Sequence, residues 1–135
     1  MTTDTIKVLI VDDDFDLPFL LENALNRKGR FEVQKATRGD VGFVKFKETK
    51  PHVVLTDYYM PGLSGGELLA KIVASEWPVP VIVMSGDEKV RSGEDLKPAF
   101  KVIHKPFLVA DLVKAILSAV KHQESAGDKD KAKAG

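Results

Sequence analysis

Residues 53 to 66 read VVLTDYYMPGLSGG: a short apolar and β-branched run, an aspartate at its end, then a loop rich in Pro and Gly. A run of this length and composition has the pattern of a strand buried on both faces of a parallel sheet. It delivers Asp57 to the strand's C-terminal edge, where open α/β sheets keep their ligands. If Asp57 is a phosphoryl acceptor or a metal ligand, other strands must end in groups that complete its chemistry. The segments on either side supply that test.

Upstream, Ile6 to Val11 is a continuous aliphatic run stopped by Asp12, Asp13 and Asp14. Downstream, Val81 to Met84 ends at Ser85-Gly86-Asp87, and Phe100 to His104 ends at Lys105-Pro106. Phe31 to Ala36 alternates as FEVQKA, the pattern of a strand with one wetter face. Helical periods fill the intervals. Phe15, Phe19, Leu20, Ala24 and Leu25 mark the first helix, with Asp14 or Asp16 as its cap and Gly29 at its close. Val41, Val44 and Phe46 mark a second, ended before Pro51. Ser64 caps a third with Leu68, Leu69, Ile72 and Val73 as its stripe. Leu108, Leu112, Val113, Ile116, Leu117 and Val120 predict a buried side for the last. Glu88 to Pro98 has only Val90 and Leu96 as anchors and Gly93 in its middle, so it predicts at most a short helix. Past residue 122 no aliphatic side chain larger than Ala occurs. The expectation is one domain over 1–122 and a disordered tail over 123–135.

Strands alternating with helical segments predict an α/β fold, a doubly wound five-stranded parallel sheet with helices on both faces. Right-handed crossovers leave few topologies, and the flavodoxin-like order 2-1-3-4-5 is the expected one. In that order Asp12, Asp13 and Asp57 converge, and Ser85 and Lys105 approach from the strands beyond Asp57.

Composition narrows the function. The 135 residues contain no cysteine, which excludes disulfides and thiolate metal sites. Twenty Lys and Arg balance twenty Asp and Glu, so no bulk attraction to nucleic acid or to a membrane is expected. The N-terminal apolar run is cut short by three acids and is neither a signal peptide nor a span. A cytoplasmic protein without membrane insertion or direct nucleic-acid binding is the expectation.

Three carboxylates at one edge repel one another and imply a neutralising cation. Oxygen ligands alone favour a hard ion such as Mg²⁺. A carboxylate is also a nucleophile toward phosphorus, and the transferring group, which carries spread negative charge, needs a metal and a cation beside it. Lys105 would be that cation, and the Ser85 hydroxyl a donor to a phosphoryl oxygen.

The chain resembles the receiver domain of two-component response regulators through VLIVDDD (8–14), TDYYMPGLSG (56–65), VIVMSG (81–86) and HKPF (104–107). The resemblance covers about residues 5 to 122 and rests on four motifs in order, each at an expected strand end. It implies that Asp57 is the phosphorylation site, that Asp12, Asp13 and Asp57 hold Mg²⁺ with the Tyr59 backbone carbonyl, and that Ser85 and Lys105 contact the phosphoryl group. It implies a cis Lys105-Pro106 bond, and a histidine kinase or histidine phosphotransfer protein as donor. The output would be a contact with a downstream protein, as a single-domain, chemotaxis-regulator-like monomer or phosphorylation-dependent dimer. Tyr59 and Asp87 stand where the family tunes phosphoryl lifetime.

Two departures bear on the output, one of them a short segment between Ser85 and Lys105 with Gly93 and Pro98 inside it. Three residues before the lysine the family often has a switch aromatic, and here Val102 stands there. The expectation is that the output face formed by the fourth helix, fifth strand and fifth helix is reworked or weakly coupled. Two other readings compete: a pseudo-receiver that keeps the fold without phosphate control, and a haloacid-dehalogenase-like phosphatase built on Asp12-x-Asp14.

Overall fold

The computed structural model describes residues 5–91 and 93–134. The strands are β1 (Ile6–Val11), β2 (Phe31–Ala36), β3 (Val53–Asp57), β4 (Val81–Ser85) and β5 (Lys101–His104), and all pair in parallel in the order β2-β1-β3-β4-β5. The helices are α1 (Asp16–Asn26), α2 (Gly39–Thr49), α3 (Gly65–Val73), α4 (Glu88–Arg91) and α5 (Val109–Ala134), with a 3-10 turn over Glu94–Leu96. The expected α/β class and strand order are both found.

Period-two alternation sorts the sheet's side chains into two cores. Ile6, Val8, Ile10, Leu55 and Met84 face α1 and α5, where they meet Leu21, Leu25, Leu112 and Ile116. Leu9, Val11, Val54, Val81 and Val83 face the other way, onto Phe46, Leu68, Leu69 and Ile72 of α2 and α3. Such double-sided burial is why β1, β3 and β4 read as continuous apolar runs rather than alternating ones.

The helices form where the sequence places them, but several bury a different face. In α1 the buried positions are Pro18, Leu21 and Leu25, while Phe15, Phe19 and Leu20 are exposed. In α2, Val41 and Val44 are exposed and Phe46 is buried. The reason is Gly42: a Cβ there would lie 2.9 Å from Val11 Cγ2, so this helix meets β1 through its backbone at a residue without a side chain. Val73 in α3, and Leu108 and Leu117 at α5, are also exposed rather than buried.

Ser64 caps α3 as expected. Its hydroxyl accepts from Glu67 N at 3.1 Å while the Glu67 carboxylate accepts from Ser64 N at 2.9 Å, a reciprocal capping box. Ser64→Ala is expected to cost about 1 kcal/mol, read as a lower urea midpoint with unchanged slope.

The segment before β5 is a four-residue helix and a 3-10 turn, anchored by Val90 and Leu96 as expected. Helical backbone in α5 runs on to Ala134, past the point where the apolar stripe ends. This backbone runs over the segment where a disordered tail is the expectation, and Gly135 lies outside the described residues.

Candidate phosphoacceptor site

Asp57 is the last residue of β3, and its Cα partner on β4 is Met84. Tyr58 N donates to Met84 O at 3.0 Å and to Asp57 Oδ1 at 3.0 Å, so the strand pairing and the carboxylate share one amide. Lys105 follows β5. Its backbone N donates to Ser85 O at 2.9 Å, which carries the strand register past its end, and its Nζ donates to Asp57 Oδ2 at 3.1 Å. Each carboxylate oxygen of Asp57 thus has its own donor. The Lys105-Pro106 bond is cis.

Asp12 follows β1 and is tied to β2 by its own amide, which donates to Ala36 O at 3.0 Å. Its side chain is only 3% exposed and its Oδ1 accepts from Asp14 N at 2.9 Å. Burial pushes the Asp12 carboxyl up to about 6, a hydrogen bond from Asp14 N pulls it down, and Asp57 and Asp13 add repulsion. One oxygen from each of Asp12, Asp13 and Asp57 fits within a set whose members all lie within 4.8 Å of one another. Three hard oxygen donors at that spacing, one of them buried and hard to ionise alone, suit a divalent cation such as Mg²⁺.

The structure thus brings Asp12, Asp13, Asp57 and Lys105 together. Ser85 is buried at the end of β4, one strand from Asp57, but its hydroxyl is turned into its own loop and accepts from Asp87 N at 3.0 Å. Asp14 makes a turn ahead of α1, its Oδ1 accepting from Asp16 N at 3.2 Å; the N-cap position is Phe15 and has no side-chain cap, so neither Asp14 nor Asp16 caps the helix as expected. The three histidines show no clustering. His52 Nδ1 accepts from Lys7 N, and His122 packs on Phe100.

Two contacts were not legible from the motifs. Tyr58 Oη donates to Asp95 Oδ2 at 2.7 Å, and Tyr59 Oη donates to Asp87 Oδ2 at 3.1 Å. Both tie the loop after Asp57 to the segment between β4 and β5. A phenol beside the key aspartate and acids across the gap were visible in the sequence, but no local rule pairs them.

Placed at this edge, the residues match one family throughout. Residues 8–117 match the response regulator receiver domain family. The chain is 33% identical over 121 residues to the transcriptional regulatory protein PrrA of Mycobacterium leprae, covering 87% of this chain and 51% of that protein. It is 31% identical over 118 residues to the chemotaxis protein CheY of Listeria monocytogenes, covering 86% of this chain and 99% of that protein. A response regulator receiver domain protein from Clostridium thermocellum superposes with a TM-score of 0.80 at 29% identity, over 90% of this chain and 98% of that one. The chain belongs to the response regulator receiver domain family, the signalling domains of two-component systems. It spans about half the length of the PrrA relatives it matches. Among the described residues no helix is long and apolar enough to cross a membrane.

Proposed function

We propose that Asp57 accepts a phosphoryl group from a histidine kinase or a histidine phosphotransfer protein in a Mg²⁺-dependent reaction in the cytoplasm, and that the modified domain signals through a changed protein-binding surface. The observation that carries this reading is the Asp57 carboxylate itself, held between Tyr58 N and Lys105 Nζ beside two further acids. Asp12, Asp13 and Asp57, with the Tyr59 carbonyl, would hold the ion. When bound, it would neutralise the acids and the phosphoryl oxygens.

The remaining work falls to the chain. One Asp57 oxygen forms a bond to phosphorus as the donor's N–P bond breaks, and the pair from that bond returns to the imidazole nitrogen. Lys105 shifts from the carboxylate, whose charge is lost in the acyl phosphate, to the new phosphoryl oxygens. The Ser85 hydroxyl rotates from its loop to donate to one of them. Catalysis is confined to the chain's own phosphorylation and dephosphorylation. The turn that Asp14 makes with Asp16 N supports this reading over a phosphatase that would use Asp14 as its acid.

Exposed apolar side chains flank the site residues in sequence. Phe15 follows the Asp12 cluster by one residue after Asp14 and is 77% exposed, Phe19 and Leu20 are exposed on α1, and Leu108, just after Lys105-Pro106, is 70% exposed. Exposed apolar side chains can mark protein contacts, and these are the candidates for contact with the donor.

The test is incubation with Mg²⁺ and a small phosphodonor, acetyl phosphate or a phosphoramidate, followed by intact mass. One added phosphoryl group is expected, absent without Mg²⁺ and absent in Asp57→Ala. No adduct under conditions that modify another receiver would overturn the proposal and leave a pseudo-receiver in its place.

A further inference from the structure

Tyr58 touches both sides of the question that Val102 raises. Its amide donates to the Asp57 carboxylate, and its hydroxyl, at the far end of a half-buried ring, donates to Asp95 in the 3-10 turn before β5. The Asp95 carboxylate sits close against α3 and its own turn. A Cβ on Gly66, in the first turn of α3, would collide with Asp95 Oδ2 and lie 3.2 Å from Tyr58 Cε1, and a Cβ on Gly93 would lie 2.8 Å from Asp95 Oδ1. Two glycines therefore leave the space that the Asp95 carboxylate fills against the Tyr58 ring. The next residue, Leu96, is buried in the same core as Val83 and Val90, so the turn cannot shift at Asp95 without disturbing the packing under α4.

We propose that Tyr58 is a positioning residue that couples the state of the Asp57 carboxylate to the 86–97 segment through its hydrogen bond to Asp95. This deepens, and rests on, the reading of Asp57 as phosphoacceptor. Conversion of Asp57 to an acyl phosphate removes the charge from the oxygen that Tyr58 N donates to, and a hydrogen bond to a charged acceptor is about twice as strong as one to a neutral acceptor. The Tyr58 peptide then follows the charge onto the phosphoryl oxygens, and its ring carries the displacement to Asp95 and Leu96. No aromatic side chain on β5 is required, since Val102 offers none and the path runs from the loop after β3 directly to the turn.

The experiment compares amide exchange over residues 86–97 with and without beryllofluoride and Mg²⁺ on the full chain, in wild type, Asp95→Ala, Asp95→Asn and Tyr58→Phe. Adduct occupancy is read separately in each by ¹⁹F NMR. In the wild-type adduct, exchange over 86–97 is expected to change about fivefold or more, the lower end of ordinary coupling between sites. At equal occupancy the change is lost in Asp95→Ala and Tyr58→Phe and retained in Asp95→Asn, which keeps an acceptor for the phenol. A response of the same size in all four proteins would overturn the proposal, as would an occupied wild type with no response. An unoccupied wild type would instead overturn the phosphoacceptor reading beneath it.

Discussion

Gly65→Ala is expected to destabilise the domain by about 2 kcal/mol or more and to cripple phosphoryl uptake in the fraction that still folds. A Cβ at residue 65 would lie 2.7 Å from the Asp57 carbonyl oxygen and 2.8 Å from Tyr58 Cα. Both are backbone atoms that cannot swing aside as a side chain would. Gly65 N also donates to Tyr58 O at 2.6 Å, so α3 begins hard against the residues that hold the carboxylate. Relief requires moving the peptide after Asp57, and with it the amide that donates to Oδ1. Gly86→Ala is the matched control, since its Cβ would meet nothing nearer than Lys105 Cβ at 3.6 Å. Urea unfolding and phosphorylation by acetyl phosphate, run on both variants, check the prediction. Comparable stability and uptake in the two would show that the α3 start is not coupled to Asp57.

Asp12→Asn is expected to move stability and metal affinity in opposite directions. The native carboxyl titrates at about 6, above its ordinary 3.8, chiefly because burial penalises its charged form. Between those values the Mg²⁺-free native protein holds a proton that the unfolded chain has released, so this group's contribution to stability improves as pH falls through 6 toward 3.8. Its penalty is fully present above 6. An asparagine removes it, and the Mg²⁺-free variant should melt several degrees above wild type at neutral pH, with the difference vanishing at acid pH. The same change deletes an oxygen donor, and Mg²⁺ affinity at neutral pH is expected to fall by about tenfold or more. Wild-type affinity should itself weaken as pH drops through 6, where Asp12 takes up a proton. Melting curves with and without Mg²⁺, and metal titration at several pH values, separate these effects. A variant that is less stable than wild type at neutral pH without metal would contradict the burial argument.

How far the sequence discloses the molecule depends on whether the deciding interaction is local. The positions of Asp12, Asp57, Ser85 and Lys105 at strand ends were legible because each closes or follows a short aliphatic run, whereas the direction of the Ser85 hydroxyl was not. The strand order followed from the alternation of strands and helices together with the handedness of crossovers. Which face a helix buries was less legible. Periodicity in α2 pointed to Val41 and Val44, but Gly42 against Val11 decides the face, and that contact exists only after β1 and α2 are brought together. The glycine in mid-helix was the available signal. The end of α5 was illegible for another reason: an apolar stripe reports packing, and helical backbone continues past the stripe. Tyr58 with Asp95 lies furthest from reach, since the partners are 37 residues apart in loops that carry no periodic pattern.

The two groups that grip the Asp57 carboxylate come from very different distances along the chain: Tyr58 is the next residue, whereas Lys105 is 48 residues on. The lysine arrives only when β4 and β5 have docked, and such non-local parallel pairing is slow to form. A chain caught half-assembled would therefore own the acceptor without the cation that serves it. During refolding, competence to take up phosphate should lag behind the appearance of helical signal, which makes the chemical reaction a timer for the last strands to settle.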